Sequence, residues 1–211
     1  MFAGGDSPPA AVAALLPGDA FVIAADSGLD HATALGRHVD LVVGDLDSVD
    51  VAALADARRE GSDVEAHPSA KDQTDLELAL DAALARGFRR VTVVGGHGGR
   101  LDHFLANLTL LASPRYTGAQ LDAWVGDAGV VVVRGEAELA AWPGARLTLI
   151  PLGGAARGIR TEGLRYPLAD EDLEAGTTRG VSNEFTAARA RVAVRAGTLV
   201  AVLPDALGAP R

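Results

Sequence analysis

Three short apolar runs in the first half of the chain each stop at a polar or glycine-rich segment, with helical patterns between them. Residues 20–25 end in Asp26-Ser27-Gly28, residues 41–43 in Gly44-Asp45-Leu46-Asp47-Ser48, and residues 91–94 in Gly95-Gly96-His97-Gly98-Gly99-Arg100. Unbroken apolar runs of this length read as strands buried on both faces, the kind found in parallel sheets covered by helices. Segments 29–35, 49–59 and 76–86, and a stretch opening at Asp102, carry helical patterns. The third is the clearest. Leu76, Leu80 and Leu84 share a face, Thr74 suits the N-cap, Glu77 completes a capping box and Gly87 supplies the stop. Strands alternating with helices predict a mostly parallel α/β domain over residues 1–122.

Beyond residue 122 the pattern changes. Residues 130–134, 145–150, 158–162, 191–195 and 198–203 are short strand-like runs, punctuated by Gly135-Glu136, Pro143-Gly144, Gly153-Gly154 and Ala196-Gly197. Residues 189–195 partly alternate, as a half-buried strand does. No strong helical pattern follows, so a small antiparallel β domain is expected over residues 123–211. No linker-like stretch or internal repeat interrupts the chain.

Composition narrows the function. The 211 residues are 48% hydrophobic and 4% aromatic, so a core is expected that Val, Leu and Ala fill. The net charge of −9 lacks the basic footprint of a nucleic-acid binder. Cysteine is absent, which excludes disulfides, thiolate metal sites and cysteine nucleophiles. Neither a secretory leader nor a run of ~20 apolar residues is apparent, so a cytoplasmic protein without membrane contact is expected.

In an open α/β sheet, ligands bind beyond the carboxyl ends of the strands. The three polar loops therefore converge on one edge. Asp45 and Asp47 form an Asp-x-Asp pair of hard oxygen donors suited to Mg²⁺. Asp75, in the first turn of its helix, would also serve the helix dipole. Lys71 is the single lysine among 19 basic residues, and its compact ammonium suits a point contact with phosphate. The glycine-rich segment offers unhindered amides beside a helix start, which favours an anion. It matches neither the dinucleotide fingerprint nor the P-loop. Arg100 could clamp phosphate bidentately. His97 and His103 read as loop or capping residues.

Together these segments resemble the thiamine pyrophosphokinase family, bacterial type. The motifs are Ala25-Asp26-Ser27-Gly28, the 40–49 stretch around Asp45 and Asp47, Lys71-Asp72-Gln73-Thr74-Asp75-Leu76-Glu77, and the 95–107 stretch ending at Asn107. Residues 161–168 and 178–185 add motifs in the second half. The resemblance implies a C-terminal β-sandwich for thiamine binding and dimerisation, and a homodimer whose site is shared between subunits. It implies Asp45, Asp47 and Asp75 on Mg²⁺, with Asp47, Asp75, Arg100 and Asp102 as catalytic residues. Asp26, Ser27, Lys71, Gln73, Thr74 and Asn107 would position ATP and the thiamine hydroxyl, and Ser182 and Asn183 the thiamine pyrimidine. The implied reaction moves the pyrophosphoryl group of ATP to thiamine. Asp102 and a metal-held carboxylate remain alternative proton acceptors.

Two departures stand out. Residues 197–202 lack the tryptophan that many eukaryotic members place in the last strand. Only Met1-Phe2 precede Ala3-Gly4-Gly5, where a first strand is expected. Three other readings stay open on the residues alone: a same-fold enzyme acting on a pterin alcohol, a haloacid-dehalogenase-like phosphatase, and a non-catalytic binder of thiamine or nucleotide.

Overall fold

The computed structural model describes residues 1–208, which fall into two units. Met1–Asn107 with Ala123–Gly126 form the first, and Leu108–Asp122 with Asp127 onward the second.

The first unit is the expected α/β layer. In chain order it holds β1 (Ile23–Ala25), α1 (Gly28–Ala34), β2 (Leu41–Gly44), α2 (Val51–Arg59), β3 (Asp63–Ala66), α3 (Asp75–Ala85), β4 (Arg90–Val94) and the start of α4 (Leu101–Leu111). Strands β1, β2 and β3 pair in parallel, with Ile23 opposite Leu41 and Leu41 opposite Asp63. The expected first strand is present in miniature. Phe2 bridges Ala24 on one side and Val94 on the other, both in parallel. Its amide donates to the Ile23 carbonyl at 2.8 Å, and the Ala3 amide to the Val94 carbonyl at 2.9 Å. This short segment thus joins β1 to β4.

Local signals set the helix ends. Thr74 Oγ1 accepts from the Glu77 amide, so α3 starts where the sequence placed it. Helix α2 begins two residues later than the pattern suggested, because Asp50 caps it by accepting from the Ala53 amide. The run at 20–25 shortens to β1, since the Val22 amide donates to Asp40 Oδ2 instead of to a strand neighbour. Strand β3 falls outside the apolar pattern of the sequence. It is an edge strand with exposed or half-buried positions and no apolar run.

The second unit contains β6 (Ala128–Val133), β7 (Glu136–Ala140), β8 (Arg146–Pro151), β9 (Ala156–Glu162), β10 (Ala169–Leu173), β11 (Asn183–Glu184), β12 (Arg189–Ala193) and β13 (Leu199–Leu203). Strand β5 (Gln120–Val125) contributes to both units. One antiparallel sheet runs β10-β9-β12-β7, and another contains the order β11-β8-β13-β6. Leu139, Leu147, Leu149, Ile159, Leu173, Phe185, Val192 and Leu199 are buried in one shared core. Sheets that bury their inner faces in this way carry polar residues outside. On the outer face of the first sheet Arg189 pairs with Glu138, Arg191 with Glu136, and both Arg160 and Arg195 with Asp170. Arg134, just past β6, turns inward. Its guanidinium donates to the carbonyls of Leu111 (2.9 Å), Ser113 (3.0 Å) and Tyr116 (3.3 Å), which ties the end of α4 to this unit.

Candidate active site

The loops that follow β1, β2, β3, β4 and the Met1–Ala3 segment line one cleft of about 570 Å³ in the first unit. Asp26, Ser27, Asp45, Asp47, Lys71, Gln73, Thr74, Asp75, Arg100 and Asn107 all face it. Ser182 and Asn183 belong to the second unit.

Backbone conformation aims the carboxylates. Asp26 and Leu46 have φ of +48° and +64°, a region that L-residues rarely occupy. Leu46 sits between Asp45 and Asp47, and its turn brings both carboxylates to the same side. Asp26, Asp45 and Asp47 each present an oxygen within 4.8 Å of the others. Asp75 approaches from the start of α3. The gap it fills exists because residue 44 is glycine: a Cβ there would lie 3.1 Å from Asp75 Oδ1 and 3.3 Å from the Asp26 Cβ.

Lys71 is the cation among these acids. Its Nζ donates to Asp45 Oδ2 at 3.0 Å and lies 2.9 Å from Asp75 Oδ1. The second contact is a close ion pair. Burial opposes the ammonium, but contact with Asp75 and Asp45 outweighs it and holds Lys71 above its ordinary value. The hydrogen bond from Lys71 in turn holds Asp45 below the usual carboxylate range. Asp26 shifts the other way. Burial raises it, and the charges of Asp75, Asp45 and Asp47 add to the rise. Its Oδ1 is buried with no hydrogen-bond partner.

Four carboxylates facing one ammonium leave an excess of negative charge in a partly buried place, which is costly without a further cation. All the donors are hard oxygens, as Mg²⁺ requires. The residues present therefore fit a divalent cation.

The glycine-rich loop is fastened by its neighbours. Asn107 Nδ2 donates to the Gly96 carbonyl at 3.0 Å, and the Asp6 amide to the His97 carbonyl at 2.7 Å. Gln73 is held by Asp81 at 2.9 Å. Arg100 and Asp102 form an exposed bidentate pair at 3.2 and 2.6 Å. The Arg100 hydrogen bond pulls Asp102 down to about 2. Asp102 lies beside the cleft but not on its lining.

Ser182 adopts φ +60° and its amide donates to Thr148 Oγ1 at 3.1 Å. Asn183 is buried, and its carboxamide is engaged by the backbones of Tyr166 and Glu184. His97 and His103, read from sequence as loop or capping residues, also line the cleft, as do Ser48 and Ser69. Ser69 gave no sequence signal beyond its position two residues before Lys71.

Comparison with known proteins identifies the family. Residues 12–122 match the thiamin pyrophosphokinase catalytic domain, and residues 138–199 the thiamin pyrophosphokinase vitamin B1 binding domain. The thiamine pyrophosphokinase of Bacillus subtilis (strain 168) is 28% identical over 161 residues, 75% of each chain. A crystal structure of thiamine pyrophosphokinase from Bacillus subtilis superposes with a TM-score of 0.82 at 26% identity, covering 95% of both chains. The Enterococcus faecalis family protein gives 0.78 at 25% identity, again over 95% of both. The Candida albicans enzyme shares the fold at 14% identity, with a TM-score of 0.78 over 95% of this chain and 87% of its own. The catalytic-domain match alone covers more than half of the chain, and with the strand order and the cleft described above it makes this protein an enzyme of the thiamin pyrophosphokinase family.

Proposed function

We propose that the chain transfers the pyrophosphoryl group of ATP to the hydroxyl of thiamine, giving thiamine diphosphate and AMP. The observation that carries this reading is the gathering of Asp26, Asp45, Asp47, Asp75 and Lys71 on one cleft beside a glycine-rich loop. Such a set suits a metal-bound phosphate chain, and the family supplies thiamine as acceptor.

Asp45, Asp47 and Asp75, with Asp26 in reach, would hold Mg²⁺. When bound, the ion neutralises charge on the phosphate oxygens as the transferred group departs. Lys71, Arg100 and the amides of residues 95–99 bind phosphate oxygens. Ser27, Gln73, Thr74 and Asn107 shape the walls that orient ATP. The thiamine hydroxyl oxygen attacks the β-phosphorus, a new O–P bond forms, and the bond from the α,β-bridging oxygen to the β-phosphorus breaks to release AMP. Positioning and charge neutralisation supply most of the rate in such transfers. The hydroxyl proton passes to a carboxylate. Asp102 is a poor acceptor while Arg100 holds it near 2, so it serves only once Arg100 turns to phosphate.

Residues 1–122 act as the catalytic domain and 123–211 as the thiamine-binding and dimerisation domain, with Ser182 and Asn183 serving the pyrimidine. Leu101 and Val181 are 69% and 50% exposed, apolar surface that a second copy would cover, in keeping with a homodimer and a shared site. Among the described residues no helix is long and apolar enough to cross a membrane. The test is incubation with ATP, Mg²⁺ and thiamine followed by mass analysis. AMP and thiamine diphosphate are expected. ADP with thiamine monophosphate, or no transfer, would overturn the reading.

A further inference from the structure

Two of the carboxylates that suit a divalent cation are already held by a side chain of the chain itself. Lys71 Nζ stands between Asp45 Oδ2 and Asp75 Oδ1, and only 14% of its side chain is exposed. Its backbone is turned back at this point, with its amide 3.1 Å from the Ser69 carbonyl. A lysine stem has four flexible carbons, so the ammonium can leave these carboxylates without backbone movement.

We propose that Lys71 is the resident counter-cation of the carboxylate cluster, and that an incoming phosphate chain must draw it away before a divalent cation can settle on Asp45 and Asp75. This rests on reading the cleft as a magnesium–triphosphate site. An ammonium and a dication cannot share the same oxygens, because like charges at such separations repel strongly in a partly buried setting. A metal arriving alone either displaces Lys71 from Asp45 and Asp75 or settles on Asp26, Asp47 and the remaining Asp45 oxygen beside an unmoved ammonium, whose charge opposes it. The other basic side chains on the cleft, Arg100, His97 and His103, offer an ammonium no anionic partner. A polyphosphate does give it one. Lys71 then exchanges carboxylate oxygens for phosphate oxygens, and the metal takes the oxygens it leaves. Metal and nucleotide bind cooperatively as a result, and by linkage each tightens the other to the same degree. Lys71 is then more than a phosphate contact: it keeps Asp45 Oδ2 and Asp75 Oδ1 from the metal until the nucleotide arrives.

The test uses Mn²⁺ as the probe, with an ATP analogue carrying a methylene in place of the α,β-bridging oxygen, and counts protein-bound metal after correction for metal held by free analogue. In the unaltered enzyme the analogue should tighten Mn²⁺ by about tenfold or more. In Lys71→Met, Mn²⁺ alone should bind about tenfold more tightly than in the unaltered enzyme, and the coupling should fall to the smaller share that direct metal–phosphate contact supplies. Lys71→Arg, which keeps a cation, should stay weak for Mn²⁺ alone. If Lys71→Met binds Mn²⁺ alone no better while the unaltered enzyme still shows coupling, the role of Lys71 is wrong and the metal site stands. If no Mn²⁺ binds even with the analogue, the reading of the cleft falls too. Should Lys71→Met fail to fold, as melting curves would reveal, the unaltered enzyme decides: equal Mn²⁺ affinity with and without the analogue overturns the inference.

Discussion

Asn183 uses its carboxamide as a piece of strand edge against Tyr166. Its Oδ1 accepts from the Tyr166 amide at 3.0 Å and its Nδ2 donates to the Tyr166 carbonyl at 2.7 Å, while the Glu184 amide also reaches Oδ1 at 2.9 Å. Asn183 is 8% exposed, whereas Tyr166 is 58% exposed. Asn183 therefore fixes the loop that carries Tyr166. Replacing it by Leu should cost about 1–3 kcal/mol, because two backbone amides and a carbonyl lose their partner. The KM for thiamine should rise about tenfold, with that for ATP unchanged, as expected for lost substrate positioning. Kinetics on both substrates and urea melts check this. An equal rise in both KM values would contradict it.

Asp26 should trade stability for activity. Its carboxyl is raised in the folded protein, mainly by burial. The charged form is then the costly one, and that cost is absent below the ordinary carboxylate range and complete above the raised value. Asp26→Asn should stabilise the protein at pH 7, and the gain should vanish near pH 3. Turnover should fall by about a hundredfold or more, since the group no longer faces the metal and phosphates with charge. Urea melts at both pH values test the sign.

Gly44 makes room for Asp75 and Asp26 and holds φ at +151°. Gly44→Ala should cost about 1–3 kcal/mol of stability through backbone strain. Displacing the carboxylates should also lower kcat/KM by about a hundredfold. Turnover like that of the unaltered enzyme would show that Asp75 tolerates the added methyl.

Arg134 gathers three carbonyls at the end of α4, and burial lowers its pKa. Arg134→Met should destabilise by about 1–3 kcal/mol, because the Leu111 carbonyl loses the guanidinium donor and those of Ser113 and Tyr116 keep only their backbone donors. Lysine should recover little of this, since a single ammonium lacks the fork that reaches several carbonyls. Thermal melts of both variants distinguish the fork from the charge.

Strands buried on both faces were legible in the sequence, as were β9 and β12, whose charged residues alternate with apolar ones, whereas the acid-rich β7 and β10 were not. Leu41-Val42-Val43 and Val91–Val94 announce themselves because both faces are covered. Strands β7 (Glu-Ala-Glu-Leu-Ala) and β10 (Ala-Asp-Glu-Asp-Leu) carry acids on the open face, where arginines from β9 and β12 and Arg179 and Arg195 answer them. That pairing links residues as far as 55 positions apart, which no local pattern can show. At the site, the Asp45–Asp47 pair, Lys71 and the glycine loop were visible as residue types. Asp26 was legible as a residue of the same sheet edge, but not the approach of its carboxylate to the Asp45–Asp47 pair, which depends on left-handed turns at Asp26 and Leu46. The fastening of Asn183 to Tyr166 was hidden for a similar reason: the partner is backbone, 17 positions away.

The short segment around Phe2 has a consequence for the order of assembly. Its place in the sheet is defined by β1 and by β4, and the Met1 amino group reaches the Thr92 carbonyl 91 positions along the chain. During synthesis at 5–20 residues per second, this segment waits about 5–20 s for its second neighbour. Until then β1 has an open edge beside it, and loops that later converge on the cleft are not yet gathered. The site is therefore completed late, by residues that were among the earliest of this unit to be made.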